Sequence, residues 1–123
     1  MANKPNSITL PRKPRYITIT ADCDFFALFK KIERRYQHCF YLESLGEDSH
    51  MARHSIIGFD PEQLIYANGN TLSLEQRDGS SEHYQSDNPY QLLRDIVPQN
   101  ILSRKYAGGL TGYLSYHCMN YFE

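Results

Sequence analysis

With 123 residues the chain has room for one hydrophobic core, so we expect one compact unit or a piece of a larger protein. Its 41% apolar and 22% charged residues are typical of a globular protein and exclude an intrinsically disordered one. No apolar run approaches the roughly 18 residues that span a bilayer. We therefore predict a soluble, cytoplasmic protein without a membrane partner.

The net charge of -1 conceals a basic amino-terminal segment, residues 1–15. This segment holds four of the 13 basic residues and no acidic residue, and three prolines interrupt it. It lacks the apolar core of a signal peptide, so we interpret it as a solvated leader before a domain over residues 16–123. The rest of the chain has nine basic against 14 acidic residues and offers no basic face to nucleic acid.

The first predicted elements are a strand and a helix. Residues 16–20, YITIT, alternate β-branched and aromatic residues, which predicts a strand. In the following ADCDFFALFKKIERRY, an aspartate at position 22 or 24 precedes apolar residues at the spacing of one helical face. Basic residues cluster in the later turns, where they suit the helix dipole. We interpret the aromatic stripe of this helix as core packing.

The middle of the chain predicts strands joined by short turns. HCFYLE, residues 38–43, and ARHSIIGFD, residues 52–60, are typical of two strands around a polar loop. Asn68 and Gly69 lie between two apolar segments in LIYANGNTLSLEQ, which is a strong hairpin signal. The stretch SSEHYQS adds an edge strand after an RDGS turn.

The last part of the chain predicts a short helix and a final strand. Asn88 and Pro89 supply a cap and a first-turn proline for a helix that ends before Pro98. Residues 110–117, in YAGGLTGYLSYHCMNYFE, alternate between two sides as in a strand. Hairpins dominate, and helices interrupt groups of strands. The predicted class is therefore α+β, with a mainly antiparallel sheet and two helices.

Three patterns that often carry chemistry are weak in this chain. His50 and His54 have the spacing of two zinc ligands on a helix, but no glutamate base lies between them and the second begins a β-type run. GGLTGY lacks the Lys-Ser/Thr of a phosphate-binding loop. His117 and Cys118 would point to opposite faces of a strand. We therefore predict neither a metal site nor a catalytic residue.

The stretch YLESLGEDSHMARHSIIGFDP, residues 41–61, interrupts its apolar pattern at Glu43 and Ser44. A carboxylate and a hydroxyl at the mouth of an apolar hairpin suit the ammonium group and polar edge of an amino acid. The alternative is that Ser44 caps a turn and Glu43 faces water. Spacing alone leaves both interpretations open.

Two motifs make the chain resemble a known family. YLES, followed eleven residues after Ser44 by SIIGFDP, resembles the LLES...RYSxIGxDP motif in the amino-terminal region of anthranilate synthase component I. YAGGLTGYLSYHCMNYFE is similar to that family's GGxxGYxxYDxxRxFE segment. Both motifs occur in the expected order and separation, and the similarity extends from about residue 16 to the end.

The resemblance implies part of the sandwich fold of that family and a chorismate-using enzyme that receives ammonia from a glutamine amidotransferase, component II. The family's chorismate-binding domain would follow Glu123, so the resemblance implies Mg²⁺ for the full-length enzyme and no cofactor in this chain. It also implies a feedback site for L-tryptophan, to which Glu43, Ser44 and His54 correspond.

Three residues depart from the family pattern. Tyr41 replaces a usual leucine, His54 stands where tyrosine is common, and His117 replaces the aspartate of the GYxxYD segment. The change at His54 alters a wall of the implied tryptophan pocket. The change at His117 alters an implied contact between domains.

The leading hypothesis is the regulatory, amino-terminal portion of anthranilate synthase component I. The same region of aminodeoxychorismate (para-aminobenzoate) synthase component I is built alike and is the first alternative. A free-standing amino-acid-binding module that never joins a catalytic domain is the second. Because apolar surface normally covered by the catalytic domain would be exposed, we also expect the chain to self-associate.

Overall fold

The computed structural model describes residues 4–8, 15–43, 54–99 and 109–121. These residues form two α-helices, five β-strands and one 3-10 helix. The strands form one two-stranded and one three-stranded sheet, both antiparallel. The predicted α+β class is confirmed, whereas the sandwich stays a prediction. The chain divides into two compact units, Thr18–Gln63 and Met1–Ile17 with Leu64–Glu123.

The described residues of the unit Thr18–Gln63 form one helix and one hairpin. Helix α1, Phe25–Arg35, begins after Asp24, whose side chain accepts a hydrogen bond from the Ala27 N–H at 3.1 Å. Strands β1, Cys39–Leu42, and β2, Ile56–Phe59, pair antiparallel. The predicted helix and both strands are confirmed, with slightly narrower bounds. The cap explains why the helix begins here, because it satisfies an N–H that the first turn leaves unpaired.

Aromatic side chains hold α1 against the hairpin. Phe29 stacks on Tyr41 with ring centroids 5.4 Å apart, and Tyr36 contacts Phe59 at 4.8 Å. The predicted aromatic stripe thus contacts the hairpin through Phe29 and Tyr36, but these rings are only half-buried and Phe25 is 43% exposed, so the stripe is not a buried core. Phe29 of α1 and Tyr36, the residue that follows the helix, contact one strand of the hairpin each.

The opposite face of the same hairpin has a close contact between its two strands. Phe40 lies across from Gly58, and a Cβ atom built on that glycine would lie 2.1 Å from Phe40 Cε1. The ring therefore covers the space that a side chain at position 58 would fill. Glycine within a strand often marks such a close approach.

The second unit is built on a three-stranded sheet in the order β3-β4-β5. Its strands are β3, Gln63–Asn68, β4, Thr71–Gln76, and β5, Ser81–Gln85. Gly69 between β3 and β4 has φ +57°, which a turn of this kind requires and glycine adopts at little cost. The predicted hairpin and the predicted edge strand are both confirmed.

The second helix, α2, covers one face of this sheet. It spans Pro89–Ile96 and begins after Asn88, whose side chain accepts a hydrogen bond from the Gln91 N–H at 3.1 Å. The predicted cap and first-turn proline are confirmed. Four buried hydrophobic side chains form the core between helix and sheet: Leu72, Leu74, Leu92 and Ile96.

Residues 4–8, from the segment predicted as a leader, lie against the carboxyl end of α2. Pro5 is buried, and the Ile8 N–H donates to the Ile96 carbonyl at 2.9 Å. Lys4 forms an ion pair with Asp95 at 2.6 Å. Lys4, Asn6 and Ser7 are exposed, as expected of a solvated segment, whereas Pro5 is buried and Ile8 is half-buried. The leader and its boundary between residues 15 and 16 stay a prediction.

Two predicted strands do not form among the described residues. Residues 15–20 have no regular structure, and Tyr16, Ile17 and Ile19 are 87%, 82% and 72% exposed. Residues 109–115 also have no regular structure, and the chain then forms the 3-10 helix Tyr116–Tyr121. A strand needs a neighbour for its hydrogen bonds, and neither segment pairs with one in the described part of the chain. The residue pattern was suited to a strand, but pattern alone supplies no partner.

Neither α-helix in the described ranges is long and apolar enough to cross a membrane. Helix α1 has 11 residues and α2 has eight, whereas a spanning helix needs about 20. Both are short amphipathic helices that pack through one face.

Candidate functional site

The candidate site lies where β1 ends and β2 begins. Leu42 pairs with Ile56, so the next residues along the two strands are Glu43 and Ser55. Glu43 is exposed, and Ser55 is half-buried. Tyr41 is two positions before Glu43 along β1, so the two side chains leave the strand on the same side. This corner therefore joins a carboxylate, a phenol and an alcohol from two strands.

The ring of Tyr41 is held from the helix side. It stacks on Phe29 and also contacts Phe26 at 6.3 Å. This burial is the main reason that the pKa of Tyr41 is raised above its ordinary value, and the Glu43 carboxylate raises it further. Tyr41 therefore stays protonated at neutral pH.

The corner carries a negative potential. Asp24 caps α1, and its charge acts together with that of Glu43 on the Tyr41 hydroxyl, raising the pKa of the phenol. The Lys30 ammonium on α1 is 2.7 Å from Glu33 rather than from Glu43. A positively charged group of a ligand would therefore be attracted to the exposed carboxylate at this corner.

The three residues predicted to bind tryptophan fall differently in the structure. Glu43 lies at the exposed end of β1, as expected for a residue that meets a ligand. His54 is exposed and precedes Ser55. Ser44 lies outside the described residues, as does most of the polar loop. Their joint role as a binding site stays a prediction.

Sequence reasoning missed Tyr41 and Ser55 as members of this corner. Tyr41 was noted only as a replacement for leucine, and Ser55 only as part of a motif. The sequence did predict two neighbouring strands, and their antiparallel pairing would have placed Ser55, before the second strand, opposite Glu43, after the first.

A cavity of about 330 Å³ lies in the second unit, beside the β3–β4 turn, α2 and the 3-10 helix. Tyr121 closes one side by donating its hydroxyl to the Gly69 carbonyl at 2.9 Å. His117 and Cys118 contribute to the lining. They belong to a 3-10 helix, so the expectation that they alternate across a strand is wrong. Their side chains form no nucleophile–base hydrogen bond within the described contacts.

Polar residues also pair across β4 and β5. Ser73 Oγ lies 2.8 Å from His83 Nδ1, and Ser81 Oγ lies 3.4 Å from His83 Nε2. A serine beside a histidine suggests a nucleophile and its base, but here both ring nitrogens face hydroxyl groups and no described carboxylate orients the ring. We interpret the group as a cross-strand ladder on the solvent face of the sheet.

The described residues do not contain a group of three His, Cys, Asp or Glu side chains that could hold a metal ion. The Mg²⁺ that the resemblance implies for a full-length enzyme therefore has no fitting donor set in this part of the molecule. His50, one of the two histidines considered as zinc ligands, lies outside the described residues.

Comparison with known proteins identifies relatives over most of the chain. It is 39% identical to anthranilate synthase component 1 of Leptospira biflexa over 118 residues, which are 94% of this chain and 24% of that protein. It is 38% identical over 98 residues to the same component of Methanothermobacter thermautotrophicus, covering 80% and 21% of the two chains. Similarity to the component of Acetivibrio thermocellus is 29% over 102 residues. No family model and no solved structure matches.

The helix-and-hairpin fold and the Glu43 corner thus occur in a chain whose relatives are components of a biosynthetic synthase. Over up to 94% of its length the chain is similar to the amino-terminal part of anthranilate synthase component I. It spans about a quarter of the length of the relatives it matches, and the matched part is amino-terminal.

Proposed function

We propose that the chain is the regulatory, amino-terminal part of an anthranilate synthase component I and binds L-tryptophan as a feedback inhibitor. Glu43, Ser44 and His54 contact the amino acid. The complete enzyme converts chorismate, with ammonia or glutamine, to anthranilate in the cytoplasm. This part contributes regulation and is not catalytic alone.

The observation that carries the proposal is the exposed carboxylate of Glu43 at the end of a hairpin in a chain similar to this family. That similarity rests on matches that cover up to 94% of the chain. Glu43 is exposed, and its carboxylate helps to raise the pKa of the nearby Tyr41 phenol, after the burial of that ring. A carboxylate so placed pairs with the ammonium group of an amino acid, and the added charge of Asp24 favours the same ligand.

The rest of a component I chain is the partner that this part requires. Tyr16 and Tyr113 are 87% and 92% exposed, in segments whose composition is suited to strands. The catalytic portion would cover these segments, bind chorismate and Mg²⁺, and receive ammonia from the amidotransferase, component II. Without that cover, we expect the chain to self-associate. Sedimentation of the chain at high concentration checks this, and a strictly monomeric species would contradict it.

The regulatory role is tested in a component I enzyme that carries this region, assayed together with its amidotransferase. Each variant's rate is divided by its own rate without tryptophan, so that only inhibition is compared. We expect Glu43→Gln to raise the tryptophan concentration for half-inhibition about tenfold or more, because it removes a charge-assisted hydrogen bond. Ser44→Ala should raise it by a smaller factor.

The matched control is Glu62→Gln, which removes the same charge from an exposed residue beside β3. Inhibition of this variant should equal that of the unmodified enzyme. Identical inhibition curves for Glu43→Gln and Glu62→Gln would refute the feedback site. An enzyme that makes aminodeoxychorismate rather than anthranilate would refute the assignment to tryptophan synthesis.

A further inference from the structure

We propose that the carboxyl end of α2 is a peptide-binding surface whose ligand is the chain's own residues 4–8, the amino-terminal strap. The peptide that this surface selects is basic and contains proline, with the features of Lys4, Pro5, Ser7 and Ile8. The strap binds reversibly while the rest of its unit stays folded, so the same surface also takes up such a peptide from outside the chain. The inference is independent of the Glu43 site.

The strap satisfies two backbone carbonyls at the end of α2. The last carbonyls of a helix have no partner within the helix. Here the Ile8 N–H donates to the Ile96 carbonyl at 2.9 Å, and the Ser7 hydroxyl donates to the Val97 carbonyl at 3.3 Å. Ile96 is the last residue of α2, and Val97 is its cap. Residues that follow a helix often supply such donors, whereas these two come from a segment about 90 residues earlier.

The surface also selects charge. Lys4 Nζ lies 2.6 Å from Asp95 Oδ2, in the last turn of α2. The helix dipole disfavours a carboxylate at this position and favours a cation. The Asp95 side chain is 27% exposed, so it is partly withdrawn from the water that would otherwise screen its charge. A basic residue at position 4 therefore suits this surface, and an acidic one is repelled.

A single buried ring anchors the strap between polar neighbours. Pro5 is buried, whereas Lys4 and Asn6 on either side of it are exposed. Proline suits this role because its ring fixes φ, so the free segment has less conformational freedom to lose on binding. The strap thus combines one apolar anchor, one charge and two hydrogen-bond donors.

The strap is separable from the core of its unit. The four buried side chains of that core come from β4 and α2, and none comes from the strap. The hydrogen bonds and the ion pair described above all end on residues 95–97. The next described segment, residues 15–20, is exposed and belongs to no helix or strand. Release of the strap therefore costs its own contacts and leaves the core intact, as in a local opening.

The first experiment measures release of the strap in the full chain, by hydrogen exchange of the Ile8 amide. We expect Lys4→Glu to speed this exchange about fivefold, because it removes an attraction to Asp95 and adds a repulsion. Adding Asp95→Lys, which swaps the two charges, should restore the slow exchange. The matched control is Lys31→Glu, which makes the same charge change at an exposed residue of α1. It should leave Ile8 exchange unchanged.

Amides of β4, the central strand of the sheet, report on the rest of the unit in the same samples. Their exchange should be equal in the unmodified chain and in Lys4→Glu. If β4 amides speed up by the same factor as Ile8, the strap is an integral part of the fold and the proposal is overturned. Failure of the charge swap to restore slow exchange would also overturn it.

The second experiment tests binding of a separate peptide. A full chain with Lys4→Glu and Pro5→Gly releases its own strap and frees the surface. A synthetic peptide with the sequence of residues 1–10, MANKPNSITL, is then titrated into this ¹⁵N-labelled chain. The control peptide differs only by Lys4→Glu. We expect weak binding of the first peptide, with a dissociation constant of about 1 mM, because a free peptide loses conformational freedom when it binds.

The expected result is a change in the NMR shifts of residues 95–97 and an affinity about fivefold higher than that of the control peptide. In a chain that also carries Asp95→Lys, the control peptide should bind more tightly. A peptide that leaves these shifts unchanged would overturn the proposal, as would equal affinities of the two peptides. Neither result bears on tryptophan inhibition, which the Glu43 variants test separately.

Discussion

Replacing Leu72 by alanine is a direct test of the core assigned to the second unit. Leu72 and Ile96 are fully buried, and the described residues supply only two other buried hydrophobic side chains to this cluster. A large-to-small change removes apolar contacts and leaves a cavity that the surroundings fill only in part. We expect Leu72→Ala to lower the free energy of unfolding by about 3 kcal/mol.

The matched control is Leu110→Ala, because Leu110 belongs to the same unit and is 43% exposed. We expect it to lower the free energy of unfolding by less than about 1 kcal/mol, since surface substitutions have small effects. Ile96→Val, which removes one methylene from a fully buried residue, should fall between them at about 1 kcal/mol. The three variants therefore give a graded series.

Urea unfolding followed by far-ultraviolet circular dichroism measures these differences without a tryptophan probe. Hydrogen exchange of the α2 amides then shows whether the loss falls in the unit that contains the substitution. Equal destabilisation by Leu72→Ala and Leu110→Ala would refute the assigned core. So would a loss of protection confined to α1, which lies in the other unit.

Three further predictions test local features of the fold. Gly58→Ala should destabilise the first hairpin by about 1–3 kcal/mol, because the added Cβ overlaps the Phe40 ring. Thermal unfolding measures this loss of stability. In a Phe40→Ala background the same substitution should destabilise the hairpin less, because the ring is gone. Asn88→Ala should lower the free energy of unfolding by about 1 kcal/mol through loss of the helix cap, and Asn88→Ser should restore most of it in urea titrations. The Lys4 ammonium holds the pKa of Asp95 below its usual value. The Lys4–Asp95 ion pair therefore stabilises the fold above about pH 4, and this stabilisation is lost as the pH falls through the lowered pKa. The stability of Asp95→Asn should therefore depend less on pH in this acidic range.

The parts of the fold that could be predicted are those fixed by neighbouring residues. Asp24 and Asn88 each cap the helix that follows, and each forms the expected hydrogen bond within three residues. The Asn68-Gly69 turn needs only its own backbone conformation. The strands predicted at residues 16–20 and 110–117 needed a partner elsewhere, and strand propensity describes only how well residues fit such a partner.

The candidate site shows the same division between local and distant information. The position of Glu43 at the end of β1 followed from where the apolar pattern stopped. The placing of Tyr41 and Ser55 beside Glu43 depended on the pairing register and on the rings of Phe29 and Phe26, which lie 12 and 15 residues before Tyr41. A motif comparison gives each residue a place but does not state which side chains lie together.

The contact between residues 4–8 and the end of α2 sets an order in which the chain acquires structure during synthesis. Ser7 donates to the Val97 carbonyl, a partner 90 residues further along. All of Thr18–Gln63 is synthesised before that partner, so α1 and its hairpin have their described partners in the growing chain first. The amino-terminal residues wait longest for theirs, with Pro5 in solvent until α2 emerges. A nascent chain that had released residues 18–63 while α2 was still inside the ribosome could therefore pair β1 with β2 before its own first residues found their partner.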